Sequence, residues 1–307
     1  MQYEVIKLRE VFPILAAEPL DKLRTQREAY SLRAGLTGSR AAYLEPTLTA
    51  YCPDNAEELG PNHTRPSVII CPGGSYQFVA FREAEPVALA FIAHGYNAFV
   101  LNYSVAPVRW PTALLELAAS AALIRERAAQ FHVDKGTVAV AGFSAGGHLT
   151  ACLGTFWKQP WLSEQLGLHT EDIRPNALIL SYPVISFTRF AHTKSRASLL
   201  GDGAEETEKS LVSLENHVTP DTPPTFLWHT AADPVVPMEN SLLFASALRE
   251  HQIPLELHIY PEGGHGLSLA TAETARGEET RVNPHCATWF ALCDQWLRLV
   301  FPSHFSI

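Results

Sequence analysis

The chain has 307 residues, 47% hydrophobic and only 18% charged, with 32 acidic against 23 Lys and Arg side chains and a formal net charge of −9. That length suits one large domain or roughly two ordinary ones, and it buries enough apolar surface to hold a core without a disulfide or metal. The acidic balance, without any Lys/Arg-rich run, excludes a nucleic-acid partner, and no apolar run approaches the roughly 18 residues of a membrane span.

The N-terminal stretch carries one short apolar patch, Val11 to Ala17, behind Glu4 and Glu10 and without the basic segment of a signal peptide. A cytoplasmic location is the expectation. The five cysteines, Cys52, Cys71, Cys152, Cys286 and Cys293, form no CxxC pair and have no zinc spacing. They read as reduced thiols packed as small apolar residues.

Leu20 to Leu32 sets spaced leucines among charges and is compatible with a helix. Ala42–Glu45 and Leu48–Cys52 look like short strands, followed by a loop rich in turn formers over Pro53–Pro66. From Ser67 the pattern becomes regular. Apolar runs at Val68–Cys71, Ala98–Leu101, Val138–Ala141, Ala177–Ser181 and Thr225–Trp228 read as strands, most of them buried on both faces. Leu255–Tyr260 alternates apolar and polar residues, as an edge strand does. Helices are predicted at Glu83–His94, Pro111–Phe131, Ala145–Phe156, Met238–His251 and Cys286–Val300, with Gly95 where a C′ residue belongs. The alternation predicts an α/β fold: a mostly parallel, doubly wound sheet flanked by helices. The segment 186–224 is too long for an ordinary connection and reads as a small cap or excursion without its own core.

The strongest chemical signal is Gly142-Phe143-Ser144-Ala145-Gly146-Gly147. It fits G-x-S-x-G, follows an apolar strand and precedes a helical run, the context of a nucleophile elbow. Such a turn exposes the serine hydroxyl and leaves the Ala145 N–H at a helix N-terminus, facing where an oxyanion would form. A serine needs a base, and in this architecture the chain order is Ser, acid, His, each after a strand. Asp233 follows the strand TFLWHT and His265 follows LELHIY, so the predicted triad is Ser144, Asp233 and His265. The loop Pro72-Gly73-Gly74-Ser75-Tyr76 follows the first regular strand, and the N–H groups of Gly74 and Ser75 are expected to complete the oxyanion hole with Ala145.

The phrases ICPGGSY, LNYSVAP, AGFSAGGHL, LSYPV, HTAADPVVP and YPEGGHGL, in that order, resemble an α/β-hydrolase esterase. Within that superfamily the chain is similar to intracellular acetyl esterases and acetylxylan-esterase-like (BD-FAE type) enzymes. Pro72 and Ser75 stand where hormone-sensitive-lipase-like esterases carry His and Gly, and Phe143 stands in place of their Asp. Both departures point toward sugar-acetyl esterases. The resemblance implies one α/β-hydrolase domain over 1–307, with an N-terminal extension over 1–66 and a catalytic core over 67–307. It implies a serine carboxylesterase that takes small-molecule or oligosaccharide acetyl esters and needs neither cofactor nor metal. Tyr76, Trp110 and Tyr182 are the aromatic residues expected to line the substrate pocket. A homo-oligomer stays open.

Overall fold

The structure is a computed structural model that describes residues 1–42, 45–56, 58, 60 and 63–304. Among them eight strands form one sheet: β1 (Gln2–Lys7), β2 (Thr47–Cys52), β3 (Arg65–Cys71), β4 (Asn97–Asn102), β5 (Val133–Phe143), β6 (Ala177–Ser181), β7 (Thr225–Thr230) and β8 (Leu255–Tyr260). Their spatial order is β1-β2-β4-β3-β5-β6-β7-β8. β1 and β4 each pair antiparallel with β2, and every other pair is parallel.

Period-two alternation distributes the strand side chains between two apolar layers. Ile69, Val138, Val140, Leu178, Leu180 and Leu227 face one layer, where they meet Leu117 and Leu149 from the helices Thr112–Glu126 and Ala145–Phe156. Val68, Ile70, Ala139, Ala141, Ile179 and Phe226 face the other, with Phe91 from Glu85–Ala93 and Trp289 from Pro284–Val300. The central runs of β3 to β7, residues 68–71, 98–101, 138–143, 177–180 and 226–228, are therefore apolar because neither face meets water there.

β1 was not expected. Its alternating residues Gln2, Glu4 and Ile6 point inward, and Glu4 accepts from Arg127 Nη1 (3.2 Å) and Gln130 Nε2 (2.8 Å). A charged side chain at an inward position hides the alternation that marks a strand. Of the strand expected at Ala42–Glu45, Tyr43 and Leu44 lie outside the described residues. The helix expected over Pro111–Phe131 breaks at Arg127 into Thr112–Glu126 and Ala128–Phe131.

The excursion at 186–224 contains two helices, Thr193–Leu200 and Glu206–Leu211. Its apolar residues Leu199, Val212 and Leu214 are buried in the same layer as Leu149. Asn240 holds its entry, accepting from Ile185 N (2.9 Å) and Ser186 N (3.0 Å). The N-terminal helix Leu20–Arg33 is tied down by Arg27, whose guanidinium donates to Ala106 O (2.5 Å) and Gln77 O (2.7 Å). No helix among the described residues is long and apolar enough to cross a membrane.

Candidate active site

Because β5, β7 and β8 run parallel, the loops that follow them leave the same edge of the sheet. Ser144 follows β5, Asp233 follows β7 and His265 follows β8. The three side chains form one hydrogen-bonded line: His265 Nε2 is 2.7 Å from Ser144 Oγ, and His265 Nδ1 is 2.7 Å from Asp233 Oδ2. Residues 121 positions apart in sequence thus meet at one sheet edge.

Ser144 sits at φ 55°, ψ −118°, a sharp turn between strand and helix. Such a conformation is costly for a non-glycine residue and survives only where the surroundings over-determine it. Here they do so by close packing: a Cβ on Gly146 would lie 2.0 Å from Cys71 O, so no larger residue fits against β3. The loop after β3 is equally tight. Gly74 has φ +132°, and a Cβ there would lie 1.9 Å from Phe78 O. The N–H groups of Gly74, Ser75 and Ala145 donate to no protein acceptor among the described residues.

Asp233 has a buried carboxylate. Its Oδ1 accepts from Val235 N (2.8 Å) and Val236 N (3.0 Å), and its Oδ2 also faces His229 Nε2 at 3.3 Å. Burial alone would raise its pKa. The hydrogen bonds from His229 and His265, the charge of His265 and the Val235 N–H outweigh that, and the carboxyl is held well below its usual range.

A family model for BD-FAE matches residues 51–248. The chain belongs to the BD-FAE family. Ser144 and Asp233 fall inside the matched span and His265 outside it, so the position of His265 in the line is known from geometry. Endo-1,4-beta-xylanase B of Butyrivibrio fibrisolvens is 37% identical over 224 residues, 69% of this chain and 34% of that protein. The acetylxylan esterase of Xylanibacter ruminicola is 28% identical over 219 residues, 69% of this chain and 43% of that protein. The chain therefore spans less than half the length of these two curated relatives. Among solved structures, an acetyl ester-xyloside bifunctional hydrolase of Caldicellulosiruptor lactoaceticus superposes with a TM-score of 0.72 at 38% identity, over 85% of this chain and 90% of that one. Membership and the superposition place the chain in the α/β-hydrolase fold.

In this BD-FAE member two of the three expected pocket aromatics are instead structural. Tyr182 is 1% exposed; its hydroxyl donates to Glu83 Oε1 (2.8 Å) and accepts from Ser268 N (2.8 Å), and its ring stands edge-on to His265 at 5.1 Å. Tyr76 is 2% exposed and donates to His148 Nδ1 at 2.9 Å. Both hydroxyls are already committed, so neither ring offers a free face to a substrate. Trp110 is half-buried, its ring edge against Phe156 at 5.8 Å and Trp161 at 6.4 Å.

Three residues not singled out as functional from sequence also sit here. Glu83 is buried and accepts from Gly73 N (2.7 Å) as well as Tyr182, joining the loop after β3 to the ring packed on His265. His229 backs Asp233. His192, from the excursion, lies close enough to His265 and Asp233 for their charges to act on it. Glu83 and His192 have no motif, because Tyr182, His265 and Asp233 lie far from them in sequence, whereas His229 stands four residues before Asp233. Among the described residues no group of three or more His, Cys, Asp or Glu side chains is placed to hold a metal ion.

His148 ties three segments together. It lies on the helix after Ser144, accepts from Tyr76, donates through Nε2 to Val212 O (2.9 Å) and stacks on Phe187 at 4.7 Å. Burial lowers its pKa to about 4, against the opposing effect of the Val212 carbonyl. His192 is lowered to about 4 as well, chiefly by burial. Below their unfolded value of about 6.5 these two imidazoles take up protons in the unfolded chain that the native state refuses, so their contribution destabilises the fold as pH falls from there toward 4. His148 alone accounts for roughly 2–3 kcal/mol at pH near 4.5. Urea unfolding at pH 7 and 4.5 measures this. Buried Glu116, raised to about 7, acts in the opposite sense over the same range, so His148→Gln is expected to shift the stability change between pH 7 and 4.5 by its own share of about 2–3 kcal/mol; an unchanged difference would place the titration elsewhere.

Proposed function

We propose that the chain is a serine carboxylic ester hydrolase that removes short acyl groups, acetyl above all, from sugars or xylo-oligosaccharides. The observation that carries the reading is the line Ser144–His265–Asp233, with hydrogen bonds of 2.7 Å on both sides of the imidazole. In this mechanism Ser144 Oγ attacks the ester carbonyl carbon while His265 Nε2 takes its proton. Asp233 holds the proton on Nδ1 and stabilises the imidazolium. The N–H groups of Gly74, Ser75 and Ala145 receive the oxyanion, each worth roughly 3 kcal/mol in the transition state. His265 then protonates the departing alcohol. Water, activated by the same imidazole, attacks the acyl-enzyme; acetate leaves and Ser144 regains its proton. No cofactor takes part.

The sugar-acetate assignment draws support from relatives named for acetylxylan and acetyl-ester chemistry. A substrate panel tests it: p-nitrophenyl acetate, butyrate and octanoate, together with acetylated xylo-oligosaccharides followed by acetate release. Acetyl esters are expected to have the highest kcat/KM, with acetate released from the oligosaccharides. Faster octanoate turnover would make the chain a general carboxylesterase or lipase instead.

A further inference from the structure

Beside the loop that carries His265 lies a cavity of about 350 Å³ lined by Arg40, Arg82 and Arg276 with one carboxylate, Glu273. Three arginines lining one cavity is unexpected in a chain whose formal net charge is −9; the nearby Glu278, which accepts from Arg281 Nε, is an acid on which the charges of Arg82 and Arg276 act. Arg82 is half-buried, and its Nε is shielded from solvent with no hydrogen-bond partner among the described residues. Elsewhere this chain satisfies its buried guanidiniums. Arg27 donates to backbone carbonyls, and Arg125 donates to Lys135 O, Asp172 O and Arg174 O. The acid next to Arg82, Glu83, is turned away, toward Gly73 and Tyr182.

The cavity adjoins the catalytic line. A Cβ on Gly266, the residue after His265, would lie 2.7 Å from Arg82 Nη2. The Arg82 backbone is held by Ser268 Oγ, which donates to its carbonyl at 2.7 Å. Phe78–Arg82, the continuation of the loop that carries Gly74 and Ser75, forms part of its lining. Phe78 lies under the Arg40 guanidinium at 4.5 Å, and Phe81 is 53% exposed. Guanidinium forks pair with planar or tetrahedral oxyanions, and the exposed Phe81 ring offers apolar surface to a ring-shaped group. The next cavity, beyond Phe81 and Pro86, is lined by no arginine and adds Glu85 to the shared Glu273, so an anion is favoured on the arginine side.

We propose that this cavity is an anion subsite that receives a carboxylate or phosphate borne by the sugar of the ester substrate. The inference rests on the ester-hydrolase reading for its substrate, but its binding test does not require turnover. The Ser144→Ala protein, titrated calorimetrically with methyl glucuronoside, glucose 6-phosphate and neutral methyl glucoside, is expected to bind an anionic sugar at least about tenfold more tightly than the neutral one. The two anionic arms tell carboxylate from phosphate. Arg82→Gln in that background is expected to remove most of the preference. Arg276→Gln, at an exposed position, does the same in part without the folding risk of a buried site. In the active protein the ratio of kcat/KM for mono-acetylated methyl glucuronoside over mono-acetylated methyl glucoside falls about fivefold or more in either variant. Equal affinity for charged and neutral sugars, or a preference untouched by both substitutions, overturns the subsite. Turnover of no ester at all overturns the hydrolase reading while the titration still reads the cavity.

Discussion

Ser144→Ala is expected to lower kcat on p-nitrophenyl acetate by a factor on the order of 10⁶, the size seen when a nucleophile that works as a unit with its base is removed. The hydroxyl is the atom in line with His265 Nε2, and alanine leaves the imidazole with nothing to deprotonate. The fold should survive, because the turn at Ser144 is held by backbone contacts: Ser144 N donates to Ser181 O at 3.0 Å, and its carbonyl accepts from Val184 N and His148 N, both at 3.1 Å. Alanine keeps the Cβ and all three. Far-UV circular dichroism and the thermal midpoint check that the variant is native. A fluorophosphonate probe, located by mass spectrometry, should label Ser144 in the wild type and nothing in the variant. Activity retained at more than about 1% of wild type would move the nucleophile elsewhere.

The parts of the molecule that could be read in sequence are those whose physics is local. The central parts of β3, β5, β6 and β7 (68–71, 138–143, 177–180 and 226–228) are near-continuous apolar runs because both faces are covered there, and the turn at Ser144 is marked by the small residues that let helix and strand approach. Asp233 and His265 could be placed because parallel strands deliver their following loops to one edge. What stayed hidden depends on pairs far apart in the chain. Glu4 makes β1 look polar because its partners are Arg127 and Gln130. Glu83 is a surface-type residue in sequence and a buried acceptor in the fold, satisfied by Tyr182 across 99 positions. Tyr76 and Tyr182 failed as pocket residues for the same reason: proximity to a motif says nothing about which way a ring points. Both point inward, where burial pushes their hydroxyls well above the usual range and keeps them as donors.

Asp233→Asn separates the acid's charge and hydrogen-bond pattern from its shape. The two backbone N–H groups of Val235 and Val236 converge on Oδ1, so that position must remain an oxygen in the amide. The amide nitrogen then occupies the Oδ2 position, facing His265 Nδ1 and His229 Nε2. It would donate to His265 Nδ1, which drives the ring proton to Nε2, and an Nε2–H cannot accept the proton of Ser144. A fall in kcat of about 10⁴ is expected at pH 7, with KM little changed. Labelling of Ser144 by the fluorophosphonate should slow in parallel. The acid stability of the protein should change as well. The Asp233 pKa is depressed in the fold, so its stabilisation is complete above the unfolded value of about 3.9 and is lost as pH falls below that. The amide does not titrate, so the variant should be less stable than wild type at pH 7 and lose less below pH about 4. Wild-type kcat in the variant would show that the ring keeps its tautomer without the carboxylate, and Asp233 would then be only a loop anchor.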